Sequence, residues 1–331
     1  MFLAPLQAVS LFSGCGGFDW GAAMAGVEII WANDIDRSAA MAYKSLFPDV
    51  EFVLKDVQTI NAFPKADIMI GCYPCTGFSI AARRRWKERE ERDLEAIAGN
   101  FLYREYLRAL VQVKPKYFFV ENVGGMITAK NGWFFQQQLD GFEKAGYKVV
   151  HKPLEATFYG VPQTRKRVFI VGVRRDIAED FQYQFLSPTH NTAATPPCPT
   201  LSDAIRGFPV WPDGEFCTLP FHGHYLTRNR KRSWNEQSFT IVAHHSHVPL
   251  HPGGAPMRKV GKDCWTLQGD FNRRLSWKEC RALQGLPSWL DLDAPLPNKY
   301  RVVGNAVPPA FGKALLTPIV DFEKSKPLLL M

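Results

Sequence analysis

The chain has 331 residues, of which 46% are hydrophobic and 22% are charged, and this ordinary globular composition excludes wholesale disorder. No run of about 18 apolar residues occurs, which argues against a transmembrane helix, and the first residues lack the basic stretch that opens a signal peptide. Lys and Arg number 40 against 32 Asp and Glu, and the resulting net charge of +8 favours a polyanionic partner such as nucleic acid.

The first half of the chain alternates short apolar runs with amphipathic helical patterns. The apolar runs predict strands at 8–12, 28–33, 50–57, 66–72, 116–123, 147–156 and 167–176. The helical patterns cover 18–27, 37–47 and 101–113. Because strands alternate with helices, we expect an α/β fold with a mostly parallel sheet that is covered on both faces.

The composition changes from about residue 181. The stretch 187–200 is rich in Pro and Thr, and 201–300 holds short, weakly patterned segments in which only 276–287 predicts a helix. A firm pattern returns after Asn298 and ends in the apolar stretch 309–322. We therefore predict one domain at 1–180 and a smaller irregular domain at 181–300.

A glycine turn, Phe12–Gly17, separates the first predicted strand from the first helix. Such a turn brings main chain close to a nucleotide-like ligand at the carboxyl ends of a parallel sheet. Its spacing is not G-x-G-x-x-G, so a dinucleotide pyrophosphate is not indicated. Asp34 and Asp36 follow the second strand and could accept hydrogen bonds from ribose hydroxyls, whereas Asp56 could bind the amine of a base. The set predicts a nucleoside site, although each residue alone fits ordinary turn chemistry.

Two cysteines stand at the end of the strand 66–72. Cys75 follows Pro74 in a glycine-flanked loop, which is the position of a nucleophile. The spacing Cys72-x-x-Cys75 also suits redox or zinc chemistry, but the other cysteines supply no clear second pair. Seven cysteines at irregular spacings indicate a reduced chain with buried thiols, and we interpret Cys72 as a buried strand residue.

Charged and polar side chains also lie at the end of one predicted strand and at the start of another. Glu121 closes the strand 116–123, where a partly desolvated carboxyl can serve as a proton donor, or it is a plain surface residue. Gln163, Arg165 and Arg167 would share one face of an extended segment and offer forked donors to a carbonyl or phosphate. The alternative for these three residues is a basic strand edge.

Five motifs now form an ordered set: FSGCGG (12–17), the Pro-Cys of YPCTGFS (73–79), ENV (121–123), QTRKRV (163–168) and GNAVPP (304–309). In this order they resemble DNA cytosine-5 methyltransferases, and the chain is similar to single-chain members of the bacterial restriction–modification or phage type from about residue 8 to 320. The segment RNRKRSWNEQSFT (228–240) is similar to the recognition segment of members that modify GGCC.

The resemblance implies a Rossmann-like, S-adenosylmethionine-dependent methyltransferase domain and a smaller target-recognition domain. It also implies that the GNAVPP motif returns the last helix to the large domain, so that 301–331 completes 1–180. The implied reaction transfers a methyl group to C5 of a cytosine that is flipped out of a specific duplex DNA site, through a covalent bond between Cys75 and C6. Glu121 would hold the N3 and amino edge of the base, and Arg165 would contact O2.

The resemblance also implies binding residues. Those around S-adenosylmethionine would be Phe12, Gly14, Gly16, Asp34, Ile35, Asp56, Val57, Pro74, Asn305 and Ala306. Those on DNA would be Arg167, Arg228, Arg230 and Arg232, and no metal ligand is expected. For each recognition-segment arginine, phosphate anchoring is the alternative to base reading.

The chain departs from the family pattern at several positions. Thr76 replaces the usual Gln after the Pro-Cys, and Asp34 replaces the more usual Glu. The usual Asp-x-Arg-Gly is absent, and 97–105 stands in its place. The charged segment 83–95 falls where the family has a mobile loop over the flipped base, although a solvated helix would have the same composition.

Six of the eight histidines lie between 222 and 251. A metal site is conceivable because imidazole binds zinc or nickel, but the sequence offers no second-shell partner. A polar surface facing DNA, or simple loops, is the alternative that we favour.

Two other functions remain open from the sequence. An RNA (tRNA) cytosine-5 methyltransferase would share the catalytic core, but the long 181–300 region favours DNA. A catalytically silent DNA-binding protein would not need Cys75, Glu121 and Arg165. We expect a cytoplasmic monomer that acts on duplex DNA, with no membrane partner, and a cognate restriction endonuclease, where there is one, outside any stable complex.

Overall fold

The computed structural model describes residues 4–74, 94 and 97–326. Its centre is a seven-stranded sheet with the strand order β3-β2-β1-β4-β5-β7-β6. The strands are β1 (Gln7–Leu11), β2 (Glu28–Asp34), β3 (Glu51–Leu54), β4 (Ile68–Gly71), β5 (Tyr117–Val123), β6 (Tyr147–Glu155) and β7 (Lys166–Arg174). Neighbours among the first five strands pair in parallel, and β7 runs antiparallel to both β5 and β6. The expected mostly parallel sheet is confirmed.

Nine α-helices accompany the strands in the described part of the chain. They are α1 (Gly17–Met24), α2 (Arg37–Leu46), α3 (Tyr103–Val113), α4 (Gly125–Thr128), α5 (Trp133–Lys144), α6 (Leu201–Ile205), α7 (Trp277–Leu283), α8 (Leu296–Asn305) and α9 (Pro309–Ser325).

Both faces of the sheet are covered because its strands are apolar on both sides. Successive residues of a strand point to opposite faces, so Phe118 and Phe119 enter different cores. Phe118 lies in the core that α3 and α5 cover, and Phe119 lies in the core that α1 and α9 cover. The last helix therefore packs on the same sheet as the first helix of the chain.

Helix α5 escaped the sequence prediction. It begins at Trp133 after Gly132, whose φ is +85°, and Phe134 and Phe142 pack against the sheet. Strand β3 is shorter than expected, since it ends at Leu54 and Asp56 caps a short 3-10 turn, accepting a hydrogen bond from the Gln58 amide (3.0 Å). The apolar pattern predicted a strand to residue 57, but the hydrogen bonding of the Asp56 side chain to nearby main chain favours a turn there.

The composition changes at about residue 181, but the chain just beyond this point still packs against the sheet. Tyr183 is buried on the α9 side of the sheet, and its hydroxyl donates to the main-chain oxygen of Leu315 (3.0 Å). Beyond it the chain is mostly loops, with α6, α7 and a hairpin of β8 (Arg258–Gly261) and β9 (Cys264–Thr266). The exact division between domains stays a prediction.

Buried cations hold the loops of this second region together. Arg230, Lys231, Arg273 and Arg274 are all 5% exposed or less. Their nitrogens donate to main-chain oxygens of Val210, Cys217, Leu219, Pro220, Tyr225, Ser246, His247, Gly253, Ala255, Phe271 and Arg274. Irregular main chain has no strand ladder to satisfy its carbonyl groups, and these cations satisfy them instead.

The second region touches the first at Gly304, near the end of α8. A Cβ atom at this position would lie 2.4 Å from the carbonyl carbon of Val242 and 2.5 Å from Ala243. Both neighbours are main-chain atoms, which cannot rotate out of the way as a side chain would. Only glycine lets the two segments approach this closely.

We expect Gly304→Ala to lower the melting temperature and to separate these segments, because overpacking of this kind costs about 1–3 kcal/mol. Gly207→Ala is the matched control, since a Cβ there meets nothing within 4 Å. Thermal unfolding of both variants checks this expectation. Equal melting temperatures for Gly304→Ala and the unmodified chain would contradict the close contact.

Candidate active site

A cavity of about 660 Å³ opens at the carboxyl ends of the parallel strands. Its volume is in the range of cavities that hold small molecules and cofactors. Among the residues singled out from the sequence, its wall includes Phe12, Gly14, Asp34, Ile35, Asp56, Val57, Pro74, Glu121, Arg165, Arg167, Asn305 and Ala306.

The end of the cavity beside β1 and β2 has the geometry of a nucleoside site. The Asp34 carboxylate accepts hydrogen bonds from the amides of Gly14 and Asp36, both at 2.9 Å. Burial raises the pKa of Asp34 above its ordinary value. Phe12, directly after β1, has a φ of +54°, a strained conformation of the kind that is common at binding sites. A side chain on Gly14 would project into open space at the cavity wall.

Gly16 does not line this cavity, unlike the other cofactor residues named from the sequence. Its φ is +82° and its amide donates to the main-chain oxygen of Ser13 (3.0 Å), so it forms the turn before α1. A Cβ at Gly16 would lie 3.0 Å from the Tyr43 ring. Turn geometry and packing on Tyr43 account for glycine here, and the expected cofactor contact does not follow from its position.

Asp19 is a cavity residue that the sequence analysis missed. It is 1% exposed, and its carboxylate accepts hydrogen bonds from the hydroxyls of Ser10 (2.9 Å) and Tyr43 (2.8 Å). Burial raises the pKa of Asp19 and these two hydrogen bonds lower it. Because burial is the larger effect, the resulting pKa is about 6. An acidic residue in the first turn of a helix directly after a glycine turn was the available signal.

Glu121 and Arg167 form an ion pair on the cavity wall. The antiparallel pairing of β5 and β7 sets Val123 opposite Arg167, two residues from Glu121. The Nε of Arg167 lies 2.8 Å from Oε1 of Glu121, and their side chains are only 16% and 12% exposed. The structure thus brings this carboxylate together with Arg167.

Arg165 makes different contacts. It is 2% exposed, and its Nη1 donates to the main-chain oxygen of Ile241 (3.1 Å). Its Nη2 donates to the oxygens of Gly304 (3.2 Å) and Ala306 (3.0 Å). Burial lowers the pKa of Arg165 well below its ordinary value. Both terminal nitrogens are therefore engaged by main chain, whereas Nε has no hydrogen-bond partner among the described residues. The expected contact of Arg165 with the target base stays a prediction.

Like Arg165, Gln163 forms hydrogen bonds with segments that are far away along the chain. Its side chain donates to Leu283 and Gln284 and accepts from the amide of Ile241 (3.0 Å). Of the three side chains expected on one face, Gln163 and Arg165 join separate segments of the chain, and Arg167 reaches the cavity carboxylate.

The proposed nucleophile Cys75, its neighbour Thr76 and all of the segment 83–95 except residue 94 lie outside the described residues. Cys72 lies on the cavity wall, where burial and the charge of Glu121 raise the pKa of its thiol well above the ordinary value. The six cysteines in the described part of the chain are free thiols.

The three recognition-segment arginines differ in exposure. Arg228 is exposed. Arg230 is buried over the Tyr225 ring and donates to the oxygens of Tyr225 (3.0 Å) and His247 (3.2 Å), so its expected place on DNA is not supported. Arg232 is half-buried over the ring of Phe239 and paired with Glu236 at 2.6 Å.

Within the described ranges, no group of three or more His, Cys, Asp or Glu side chains is arranged to hold a metal ion. Over the same residues, none of the helices combines the length and the apolar character that crossing a membrane requires.

The model of the C-5 cytosine-specific DNA methylase family matches residues 6–206 and 214–321. The chain belongs to this family. A C-5 cytosine-specific DNA methylase transfers a methyl group from S-adenosylmethionine to C5 of cytosine through a covalent cysteine intermediate, after the base has been flipped out. The match to a DNA methylase model favours neither the RNA-modifying nor the silent alternative.

Curated relatives agree with this family. The chain is 38% identical to the type II methyltransferase M.BsuRI of Bacillus subtilis, over 96% of this chain and 80% of that one. It is 37% identical to M.BspRI of Lysinibacillus sphaericus, over 96% and 82% of the two chains. These relatives are bacterial type II methyltransferases, the restriction–modification type that the motifs resemble.

Solved structures agree in fold. A protein described as a DNA modification methyltransferase encoded within an E. coli prophage superposes with a TM-score of 0.73 at 21% identity, covering 97% of this chain and 100% of that one. A Spodoptera frugiperda DNMT2 variant superposes with a TM-score of 0.67 at 17% identity, covering 96% and 99%. At these identities the likeness concerns the fold alone.

For this methylase we expect Asp34→Ala and Asp56→Ala to weaken S-adenosylmethionine binding roughly ten- to a hundredfold, because a lost charge-assisted hydrogen bond costs about 1.5–3 kcal/mol. DNA affinity should stay nearly unchanged. Calorimetry measures the first quantity and duplex binding the second. Asp49→Ala, an exposed acid outside the cavity wall, is the control. Unchanged cofactor affinity in both cavity variants would refute the nucleoside site.

Proposed function

We propose that the cavity holds S-adenosylmethionine at its β1–β2 end and the flipped cytosine beside Glu121, with Cys75 as the nucleophile. The observation that carries this proposal is the ion pair of Glu121 and Arg167 on the wall of the cavity that Asp34 and Pro74 also line. Pro74 is the residue that precedes Cys75 in the sequence.

The residues of the cavity wall fit the cofactor. Asp34 and Asp56 follow neighbouring strands and offer carboxylate oxygens to ribose hydroxyls and to the adenine amine. Gly14 leaves open space where a side chain would intrude. When bound, S-adenosylmethionine supplies a methyl group on a positively charged sulfur.

Covalent catalysis is needed because C5 of cytosine is a poor nucleophile. The Cys75 thiolate adds to C6, which turns C5 into an enamine carbon that can accept the methyl group. A base then removes the C5 proton, and elimination of the thiolate restores the aromatic ring. Glu121 would hold the N3 and amino edge of the ring and stabilise its protonated form during the addition.

Cys75 is a better candidate for the nucleophile than Cys72. The raised pKa of the Cys72 thiol keeps it protonated at neutral pH, and a protonated thiol is a weak nucleophile. Burial and the charge of Glu121 both disfavour the Cys72 thiolate.

Cys75→Ser should lose turnover by several orders of magnitude, because a hydroxyl is a far weaker nucleophile than a thiolate at neutral pH. Cys72→Ser is the matched control and should keep much of the activity. Duplex DNA with 5-fluorocytosine at the target should trap a covalent adduct in the unmodified enzyme, since the fluorine cannot leave as a proton does. Equal loss in both variants without an adduct would exclude Cys75 as the nucleophile.

Arg167 is the cation that acts at the base, in place of Arg165. It fixes the Glu121 carboxylate and lies on the cavity wall, whereas the terminal nitrogens of Arg165 bind the main-chain oxygens of Ile241, Gly304 and Ala306. An arginine beside the carboxylate can also donate to O2 of the bound cytosine.

Arg167→Met should lower kcat by about a hundredfold with little change in melting temperature, because it removes a charge from the reacting site. Arg165→Met should instead lower the free energy of unfolding by about 3 kcal/mol or more, since it leaves several buried carbonyl oxygens unsatisfied. Single-turnover methylation and chemical denaturation separate the two effects. A stable, inactive Arg165→Met beside an active Arg167→Met would restore Arg165 to the catalytic role.

The smaller region, 181–300, would read the target, with GGCC as the proposed sequence on the similarity of 228–240. Arg228 is the exposed member of the three arginines and is the best placed to meet DNA. We further propose a monomer that acts in the bacterial cytoplasm, with any cognate endonuclease as a separate protein. Bisulfite sequencing of DNA from cells that express this chain tests both cytosine methylation and the target sequence.

A further inference from the structure

Four histidines of the second region pack together on one surface. We call His222, His224, His244 and His247 the histidine cluster. The ring centroid of His247 lies 4.5 Å from that of His244, 5.2 Å from that of His222 and 5.8 Å from that of His224. The hydroxyl of Ser246 lies within hydrogen-bond distance of Nδ1 of His244 (3.0 Å) and of His247 (3.1 Å).

The histidine cluster lies near one residue of the cavity wall. Gly304 is on the cavity wall, and a Cβ there would be 2.5 Å from the Cα of Ala243. His244 is the next residue, so its Cα lies within about 8 Å of the Cα of Gly304. On its other side the cluster continues through the turn Tyr225–Thr227 to the exposed Arg228.

Packing of the core does not explain these side chains. His222, His224 and His244 are exposed, and only His247 is half-buried. A metal site does not explain them either, because no group of three or more ligand side chains in the described part of the chain is arranged to hold a metal ion. Exposed polar rings close to a cavity that, on the proposed function, receives a base are suited to contact nucleic acid.

The charge state of His247 is set by its surroundings. Burial, followed by the charges of His244, Arg230, His222 and His224, lowers the pKa of His247 to about 4. Burial and the charge of Arg274 also lower the pKa of the neighbouring His245. At neutral pH His247 is therefore neutral, and a neutral imidazole offers one donor and one acceptor.

We propose that the histidine cluster contacts base edges beside the flipped cytosine and contributes to recognition of the target sequence. This inference rests on the proposed function, since it needs the cavity to receive cytosine from duplex DNA. A neutral ring such as that of His247 can pair with both donors and acceptors of a base pair.

The test compares a His222→Gln/His224→Gln double variant and a His244→Gln single variant with the unmodified enzyme. Glutamine keeps a donor and an acceptor but cannot take up a proton. His151→Gln is the matched control, because His151 is an exposed histidine on β6, outside the cavity wall. His247 is left unchanged because it is the half-buried member. The melting temperature and cofactor affinity of each variant report on folding.

We measure methylation of a randomised target library at pH 7.5. In the double or the single variant, the preference for one base over the others should fall about tenfold at one or more target positions. His151→Gln should keep the target preference of the unmodified enzyme.

Folded variants that keep the library preference of the unmodified enzyme would overturn the inference. The activity of the unmodified enzyme distinguishes this result from failure of the proposed function. If the proposed function is wrong, the unmodified enzyme will not methylate cytosine in duplex DNA and will not form a covalent adduct with 5-fluorocytosine.

Discussion

The guanidinium of Arg165 joins the three parts of the chain from which the cavity is built. It extends from the start of β7 to main-chain oxygens of Ile241 in the second region and of Gly304 and Ala306 at the end of α8. A buried cation is costly unless its hydrogen-bonding capacity is used, and here the terminal nitrogens meet carbonyl groups that would otherwise lack donors. Gln163 and Gln284 extend the same network to Val303 and Leu283.

The chemistry of the site depends on this junction through the register of β7. Arg165 holds the start of the strand, and two residues later Arg167 lies beside Glu121 on the cavity wall. A shift of one residue would turn Arg167 to the other face of the sheet and leave the Glu121 carboxylate unpaired. The antiparallel pairing of β7 with both β5 and β6 fixes that register from two sides. Fold and site are therefore set by the same short segment.

The sequence was sufficient for the sheet and for the strand ends that carry Asp34 and Asp56, because apolar runs and turn residues have a local signature. It was insufficient to separate the roles of Arg165 and Arg167. Both are arginines on one face of an extended segment, and what distinguishes them is contact with residues far away along the chain. Asp19 was missed for the same reason, since its partners Ser10 and Tyr43 meet only in the folded protein.

The basic composition has a different meaning in the light of these contacts. A net charge of +8 suggested a nucleic-acid partner, yet Arg165, Arg230, Lys231 and Arg274 are buried and donate to main-chain oxygens. Such cations contribute to the long-range field, but their nitrogens cannot also contact phosphates. Direct contacts must come from exposed side chains such as Arg228, and the number of these, rather than the net charge, determines how steeply DNA affinity falls with salt. In a region built from loops, basic residues thus serve the fold before they serve the ligand.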